Sequence, residues 1–209
     1  RKVRQATARF TEAMVPFGDP RLSDPFEVSC TGGVKGRGRW ADGRSWAYDF
    51  GEELPAGIWC TFTLKDGTRS LSGAPVAGAR EFSFTTGGPA VVQSIPYDGD
   101  PRIDENQAFF LLLDAEPDEK SVLAHAYFSA AGVKEAIGAR IVKGKDRETL
   151  IEAGYAKTWR KGNAAADRRI LVLQPAQSFP PGAKVALWWG AGVRTAGGVA
   201  SEESRKLSF

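Results

Sequence analysis

The chain has 209 residues, of which 42% are hydrophobic and 25% charged, and its 28 basic and 25 acidic residues leave a net charge of +3. This length accommodates two domains of ordinary size, each with its own core. No apolar run reaches the ~18 residues that indicate a membrane-spanning helix. The small basic excess is spread along the chain, which argues against nucleic acid as a partner.

Short alternating segments fill the first half of the chain. Asp42-Gly43 lies between two aromatic alternating segments, which is a strong hairpin signal. Glycine, proline and aspartate turns separate the segments, as is typical of an antiparallel β-sandwich. The other segments in which apolar and polar residues alternate are residues 6–10, 26–30, 58–64 and 80–84.

The second half has a similar character. Residues 109–113 and 170–173 are apolar runs, and residues 122–128 predict another strand. Residues 145–159 are rich in helix formers and predict one short surface helix. We therefore predict an all-β chain of two tandem antiparallel sandwiches, residues 1–88 and 89–209, with one short helix in the second.

One segment of the chain occurs twice. Residues 54–84 align without a gap with residues 179–209, at a constant offset of 125 residues, which is the length of a domain. We interpret the halves as two copies of one module, so we expect the same strand topology in both. The identical pairs are Pro55/Pro180, Gly57/Gly182, Gly67/Gly192, Arg69/Arg194, Gly73/Gly198, Arg80/Arg205, Ser83/Ser208 and Phe84/Phe209.

The two cysteines, Cys30 and Cys60, both lie in the first half. They are either two buried reduced thiols or one disulfide. An even number of cysteines in a small sandwich domain favours the disulfide. That bond would place the protein in an oxidising compartment.

The sequence offers little material for catalysis. His125 is the only histidine, and nucleophilic triads and zinc sites mostly need well-placed imidazoles; we expect it to be a packed or surface residue. The acidic segment 98–105 has the oxygen ligands that calcium prefers, but Pro101 and Arg102 interrupt it, so a solvated turn is favoured. No catalytic, metal or cofactor site is predicted, and we do not expect an enzyme.

Two aromatic segments are candidate binding surfaces. The segment 35–46 mixes arginines with tryptophans, as in platforms for nucleic acid or glycans, yet strict alternation favours tryptophans in the core and arginines in solvent. Trp188 and Trp189 are adjacent in a predicted strand and cannot both point inward. One of these indoles is therefore expected at the surface or in a contact with another domain or a partner.

Several segments together resemble the macroglobulin-type domains of bacterial alpha-2-macroglobulins. The likeness covers most of the chain, and the order and spacing of the segments carry it, since generic Ig-like modules share parts of each. The segments are Phe10–Val15, Trp46–Phe50, Leu54–Gly57, Phe82–Pro89, Phe179–Gly182 and Trp188–Val193.

This resemblance implies Ig-like macroglobulin-type domains that serve as the scaffold of a protease trap, an endopeptidase inhibitor. In that family a protease cuts a bait region, the multidomain shell rearranges, and a thioester formed by a Cys-x-Glu-Gln motif captures the attacker. Cys30, in Cys-Thr-Gly-Gly, and Cys60, in Cys-Thr-Phe-Thr, do not match the motif. No residue here therefore inherits a reactive role.

The resemblance also implies a location and partners. The parent protein would be periplasmic, with a lipid anchor to the inner membrane outside these residues, and its targets would be proteases. The chain opens with Arg1-Lys2-Val3, without an initiator methionine or signal core, so we expect a monomeric fragment that contacts other domains of its parent. The alternative is a tandem Ig-like module for cell-surface adhesion or glycan binding, which requires exposed aromatic side chains.

Overall fold

The structure is a computed structural model that describes residues 3–16, 22–160 and 164–209. The chain is all-β with antiparallel sheets, and it divides into two compact units, Arg1–Thr86 and Gly87–Phe209. The division falls before Gly87, whereas the sequence analysis placed it after Gly88. A Cβ at Gly88 would lie 2.1 Å from the backbone nitrogen of Ser201, so Gly88 packs closely within the second unit.

The first unit is built from two three-stranded sheets with orders β1-β4-β3 and β2-β5-β6. Its strands are β1 (Val3–Arg9), β2 (Phe26–Cys30), β3 (Gly36–Trp40), β4 (Ser45–Leu54), β5 (Trp59–Leu64) and β6 (Glu81–Thr85).

The Asp42-Gly43 turn joins β3 to β4 and places Trp40 opposite Trp46. The Asp42 carboxylate accepts hydrogen bonds from the backbone N–H groups of Arg44 and Ser45, both at 2.7 Å. These bonds fix the tight turn locally. The predicted hairpin is thereby confirmed.

Aromatic side chains fill the space between the two sheets of the first unit. Trp46 of β4 is 1% exposed, and its ring contacts Phe26 at 5.2 Å and Phe62 at 6.3 Å between centroids. The Trp46 indole N–H donates to Asp24 at 2.9 Å. Alternate residues of each strand thus supply this core, as the period-2 pattern predicts.

The second unit contains one seven-stranded sheet of order β13-β12-β9-β10-β11-β8-β7. Its strands are β7 (Val91–Ile95), β8 (Phe109–Leu113), β9 (Ala126–Ala130), β10 (Ile137–Ile141), β11 (Ile170–Pro175), β12 (Val185–Trp189) and β13 (Arg205–Ser208).

Strand β10 links the two halves of this sheet. Ile137 and Gly138 pair with β9, whereas Ala139 to Ile141 pair with β11. Buried residues of all seven strands share one hydrophobic cluster. The sheet therefore folds over a single core, and its halves β7-β8-β11-β10 and β9-β12-β13 have the strand order of a constant-type immunoglobulin sandwich.

The second unit has more helix than the sequence analysis predicted. Residues 122–125 were predicted as strand but belong to a helix, because Asp118 caps its first turn by accepting the Ser121 N–H at 3.1 Å. The single helix predicted over 145–159 is an α-helix followed by a 3-10 helix, Tyr155–Trp159. The α-helices are α1 (Glu119–His125), α2 (Gly144–Ala153) and α3 (Ala164–Asp167).

The two units share their strand order, as the sequence repeat predicts. Pairings β1-β4-β3 and β2-β5-β6 correspond to β8-β11-β10 and β9-β12-β13, while β7 has no described counterpart. The registers also agree: Phe62 lies opposite Val28 and Phe82, and Leu187, 125 residues later, lies opposite Phe128 and Leu207.

Candidate interaction surface

The predicted disulfide joins the two sheet partners Cys30 and Cys60. These residues face each other across β2 and β5, with Cα atoms 4.1 Å apart. Cys60 is fully buried. The corresponding pair in the second unit is Ala130 opposite Val185, so an apolar contact takes the place of the covalent bond there.

Trp188 and Trp189 point to opposite faces of β12. Trp189 is 1% exposed, and its indole N–H donates to the Pro89 carbonyl at 2.8 Å. Trp188 is half-buried on the outer face, where its indole N–H donates to Ser129 at 3.1 Å. Of the two candidate interface residues, only Trp188 therefore has a solvent-accessible side chain that a partner could contact.

Trp188 is the centre of an outer-face cluster with Tyr127 and Lys206, which we call the Trp188 patch. Tyr127 lies opposite Trp188 across β9 and β12, and the two rings stack with centroids 6.2 Å apart and planes 15° apart. The Lys206 ammonium lies 5.3 Å from the Trp188 ring centroid, a cation–π distance. Tyr127 keeps 38% of its surface exposed, so the patch presents aromatic faces and one positive charge.

The basic and aromatic side chains of the β3–β4 hairpin separate as alternation predicts. Trp46 is in the core and Trp40 packs on Phe10, with centroids 5.7 Å apart. Arg39 is exposed and donates to Asp49 at 2.6 Å. Hydrogen bonds from Arg39 and Gln5 hold the pKa of the Asp49 carboxyl below its ordinary value, so this guanidinium is already paired.

Two carboxylates of the acidic segment 98–105 accept backbone hydrogen bonds, one from its own turn and one from β13. Asp98 accepts the Ser208 N–H at 2.8 Å and Asp100 accepts the Arg102 N–H at 3.0 Å. Across the described residues, no three or more His, Cys, Asp or Glu side chains come together in a way that could hold a metal ion. Nor is any helix of that part long and apolar enough to span a membrane.

His125 ends α1 on the surface, with its ring beside Gly192. A Cβ at Gly192 would lie 2.8 Å from the ring carbon Cε1, and this glycine has φ +95°. The predicted turn at Gly190-Ala191-Gly192 matches that at Gly67, where φ is +76°. The histidine is thus packed on a turn, without a nucleophile or carboxylate partner among the described hydrogen bonds.

Sequence reasoning missed an ion network between the helices of the second unit. Arg147 donates to Asp167 at 3.3 Å, and Arg160 donates to Asp167 at 2.7 Å and to Glu148 at 2.6 Å. Burial raises the pKa of Asp167, but hydrogen bonds from Arg147 and the two arginine charges outweigh it and lower that pKa. The network links α2 and α3 with the end of the 3-10 helix.

Comparison with known proteins adds no assignment. No protein-family model matches the chain. No curated protein matches it either.

Proposed function

We propose that this chain is a non-catalytic scaffold of a periplasmic protease trap of the bacterial alpha-2-macroglobulin type. The observation that carries the proposal is the repetition of one sandwich, register for register, over both units. Repeated rigid modules are suited to building a shell that spaces other parts of a large protein. The order of the family-like segments in the sequence adds to this argument.

The chemistry of the described residues fits such a passive role. Potentially reactive groups are committed to structure: both cysteines form the disulfide, and His125 lies on a turn. The arginines of the ion network are paired with carboxylates. We accordingly propose that the chain neither cleaves nor inhibits proteases by itself, and that its partners are other domains of the same polypeptide.

Capture of a protease by the complete parent polypeptide tests this proposal. Mixed with trypsin, the parent should retain the protease in a complex that survives denaturing electrophoresis, because the family forms a covalent thioester adduct. Residues 1–209 alone, as the control, should form no complex. A parent that is simply digested, with no trypsin co-eluting in size exclusion, would refute the proposal.

Glycan binding is the second candidate function, and the Trp188 patch is the observation that favours it. Parallel rings 6.2 Å apart beside a lysine offer faces on which a sugar ring can stack. Saturable binding on a glycan array that Trp188→Ala abolishes and Trp159→Ala leaves unchanged would support it. Equal binding by all three proteins would exclude the patch as a glycan site.

A further inference from the structure

The first unit has a strand position that no described residue fills. In the second unit, β8 pairs with β11 on one side and with β7 on the other. The corresponding strand β1 pairs with β4 alone, so its other edge has no partner among the described residues. An unpaired edge leaves a row of backbone N–H and C=O groups able to accept another strand.

An apolar groove of about 670 Å³ runs along this free edge. Residues 6–9 of β1 line the groove together with residues 82–84 of β6 and the loop before β6, and Phe26, Trp46 and Phe62 line its interior. In the second unit β7 occupies the matching place: it pairs with β8, and Arg205 of β13 donates a hydrogen bond to the Val91 carbonyl.

The first unit lacks a strand that corresponds to β7 among its described residues, and a side chain that β7 would cover is accordingly more exposed there than its counterpart in the second unit. Phe82 is 51% exposed, whereas its counterpart Leu207 is fully buried. Ala8 of β1 lies opposite Trp46, at the position where Leu111 fills the second core opposite Leu171. The first unit thus combines an uncovered phenylalanine with small side chains on the wall, which leaves room for apolar groups from outside.

We propose that this groove accepts an extended polypeptide strand supplied from outside residues 1–209. The strand adds antiparallel to β1 and completes the sandwich as β7 completes the second unit. The β7–β8 register, in which Ile95 lies opposite Phe110 and Val91 opposite Leu113, places the incoming strand opposite Thr7 to Phe10. Backbone hydrogen bonds supply the affinity, and apolar side chains at alternate positions enter the groove.

The charges on β1 favour a strand of different sequence over a second copy of this chain. Arg4 and Arg9 are both on β1. Antiparallel pairing of two β1 strands would bring these arginines close to those of the other copy, and like charges facing each other across a strand pair are destabilising. An apolar strand resembling β7 meets no such repulsion.

A labelled peptide with the sequence of residues 88–95 (GPAVVQSI) provides the test on the whole 209-residue chain. Fluorescence anisotropy should show saturable binding, and hydrogen exchange of the β1 amides from Thr7 to Arg9 should slow when the peptide is present. Phe82→Asp puts a charge on the groove wall and should weaken binding at least tenfold. Val92→Asp, at a 53% exposed position of β7 in the second unit, is the matched control and should bind as the parent does.

A second substitution keeps the test independent of folding. Ala79→Asp lies on an exposed loop that lines the groove and should weaken binding several-fold without altering amide exchange in β5. The proposal is overturned by no saturation up to about 1 mM peptide, or by binding without protection of β1. Dimerisation of the free chain that protects β1 as protein concentration rises would also overturn it, in favour of a second copy as the occupant.

Discussion

The disulfide compensates for a small core in the first unit. That unit has six described strands and an open groove, whereas the second unit has seven strands around its core. The Cys30–Cys60 bond occupies the site where the second unit has Ala130 and Val185. A covalent link between the paired strands β2 and β5 stabilises this module of fewer strands.

Reduction of this bond should therefore destabilise the first unit alone. A closed loop with a sequence separation of 30 residues corresponds to about 3.5 kcal/mol of unfolding free energy. Urea titration followed by amide exchange should show this loss in β2, β4 and β5, with β9 and β12 unchanged. Equal exchange with and without reductant would contradict the prediction.

The double substitution Cys30→Ala with Cys60→Val introduces the apolar pair of the second unit. The double variant should be more stable than the reduced protein and less stable than the disulfide-bonded one. The reason is that alanine and valine side chains pack against each other where reduction leaves two thiols. The single variant Cys60→Ala is the control: it leaves a smaller side chain at a fully buried position and should be the least stable of the set.

Three glycine pairs of the repeat are explained by backbone conformation. Gly57/Gly182, Gly67/Gly192 and Gly73/Gly198 all have positive φ, and in the last pair the values are +84° and +88°. Both members of that pair lie in matching loops, bridged by Arg69–Pro75 and Arg194–Ala200. The repeat thus conserves turn geometry where its other side chains have diverged.

Gly73→Ala and Gly198→Ala should each lower the free energy of unfolding by about 1 kcal/mol. A Cβ at either position meets no atom within 4 Å, so the cost arises from the left-handed conformation alone. Gly51→Ala, in open space within β4 and without a positive φ, should be neutral or stabilising. Chemical denaturation of the three variants measures this; a large cost at Gly51 would disprove the explanation.

At the scale of elements, the insertion between β10 and β11 is the main difference between the second unit and the first. The first unit has a four-residue turn there, whereas the second has α2, the 3-10 helix and α3. Ile151 and Ala156 are buried against Phe110, Ile170 and Val172 on the outer face of the sheet. The insertion therefore covers one sheet half with a second, smaller core.

The ion network should make this insertion sensitive to acid. The pKa of Asp167 is lower in the folded state than its ordinary value of 3.8, so its charge stabilises the fold above that pH and the contribution disappears as the pH falls below it. Near neutral pH, Asp167→Asn should lower the free energy of unfolding by at most about 1 kcal/mol, because the carboxylate is partly exposed. Amide exchange of α2 in the two proteins should converge in acid.

Glu152→Gln is the matched control for this prediction. Glu152 contacts only Arg160 among the described ion pairs, at 2.9 Å, and its side chain is 63% exposed. Its loss should change exchange in α2 less than the loss of Asp167 does at neutral pH. A difference between Asp167→Asn and the parent that persists in strong acid would mean that packing, not charge, is responsible.

Local signals determined which elements could be predicted. The strand with Cys60, Phe62 and Leu64 and the Asp42-Gly43 hairpin follow from alternation and turn chemistry. Helix α1 was mistaken for strand because its apolar residues run directly into β9, and only the Asp118 cap marks its start. The Asp167 network joins residues from separate helices, so no sequence pattern could indicate it.

At the scale of the whole molecule, the repeat could be predicted only in part. The aligned segment covers the last strands of each unit, where the offset stays at 125 residues. Upstream, Cys30 corresponds to Ala130 and Ala8 to Leu111, because the helical insertion and the segment before β9 change the spacing. The equivalence of the first strands, and so the empty strand position, emerges only from the paired registers.

Each unit has its own hydrophobic core, so the stability of one unit should be separable from that of the other. Leu187 is fully buried in the core of the second unit and Phe62 is 6% exposed in that of the first, and the two clusters share no residue. Leu187→Ala should lower the unfolding free energy of the second unit by about 3 kcal/mol. It should accelerate amide exchange in β9 and β12 and leave exchange in β5 unchanged. Phe62→Ala, at the matching position, should do the reverse. If either substitution accelerated exchange equally in both units, the chain would unfold as one cooperative body and the modules could not be independent scaffold pieces.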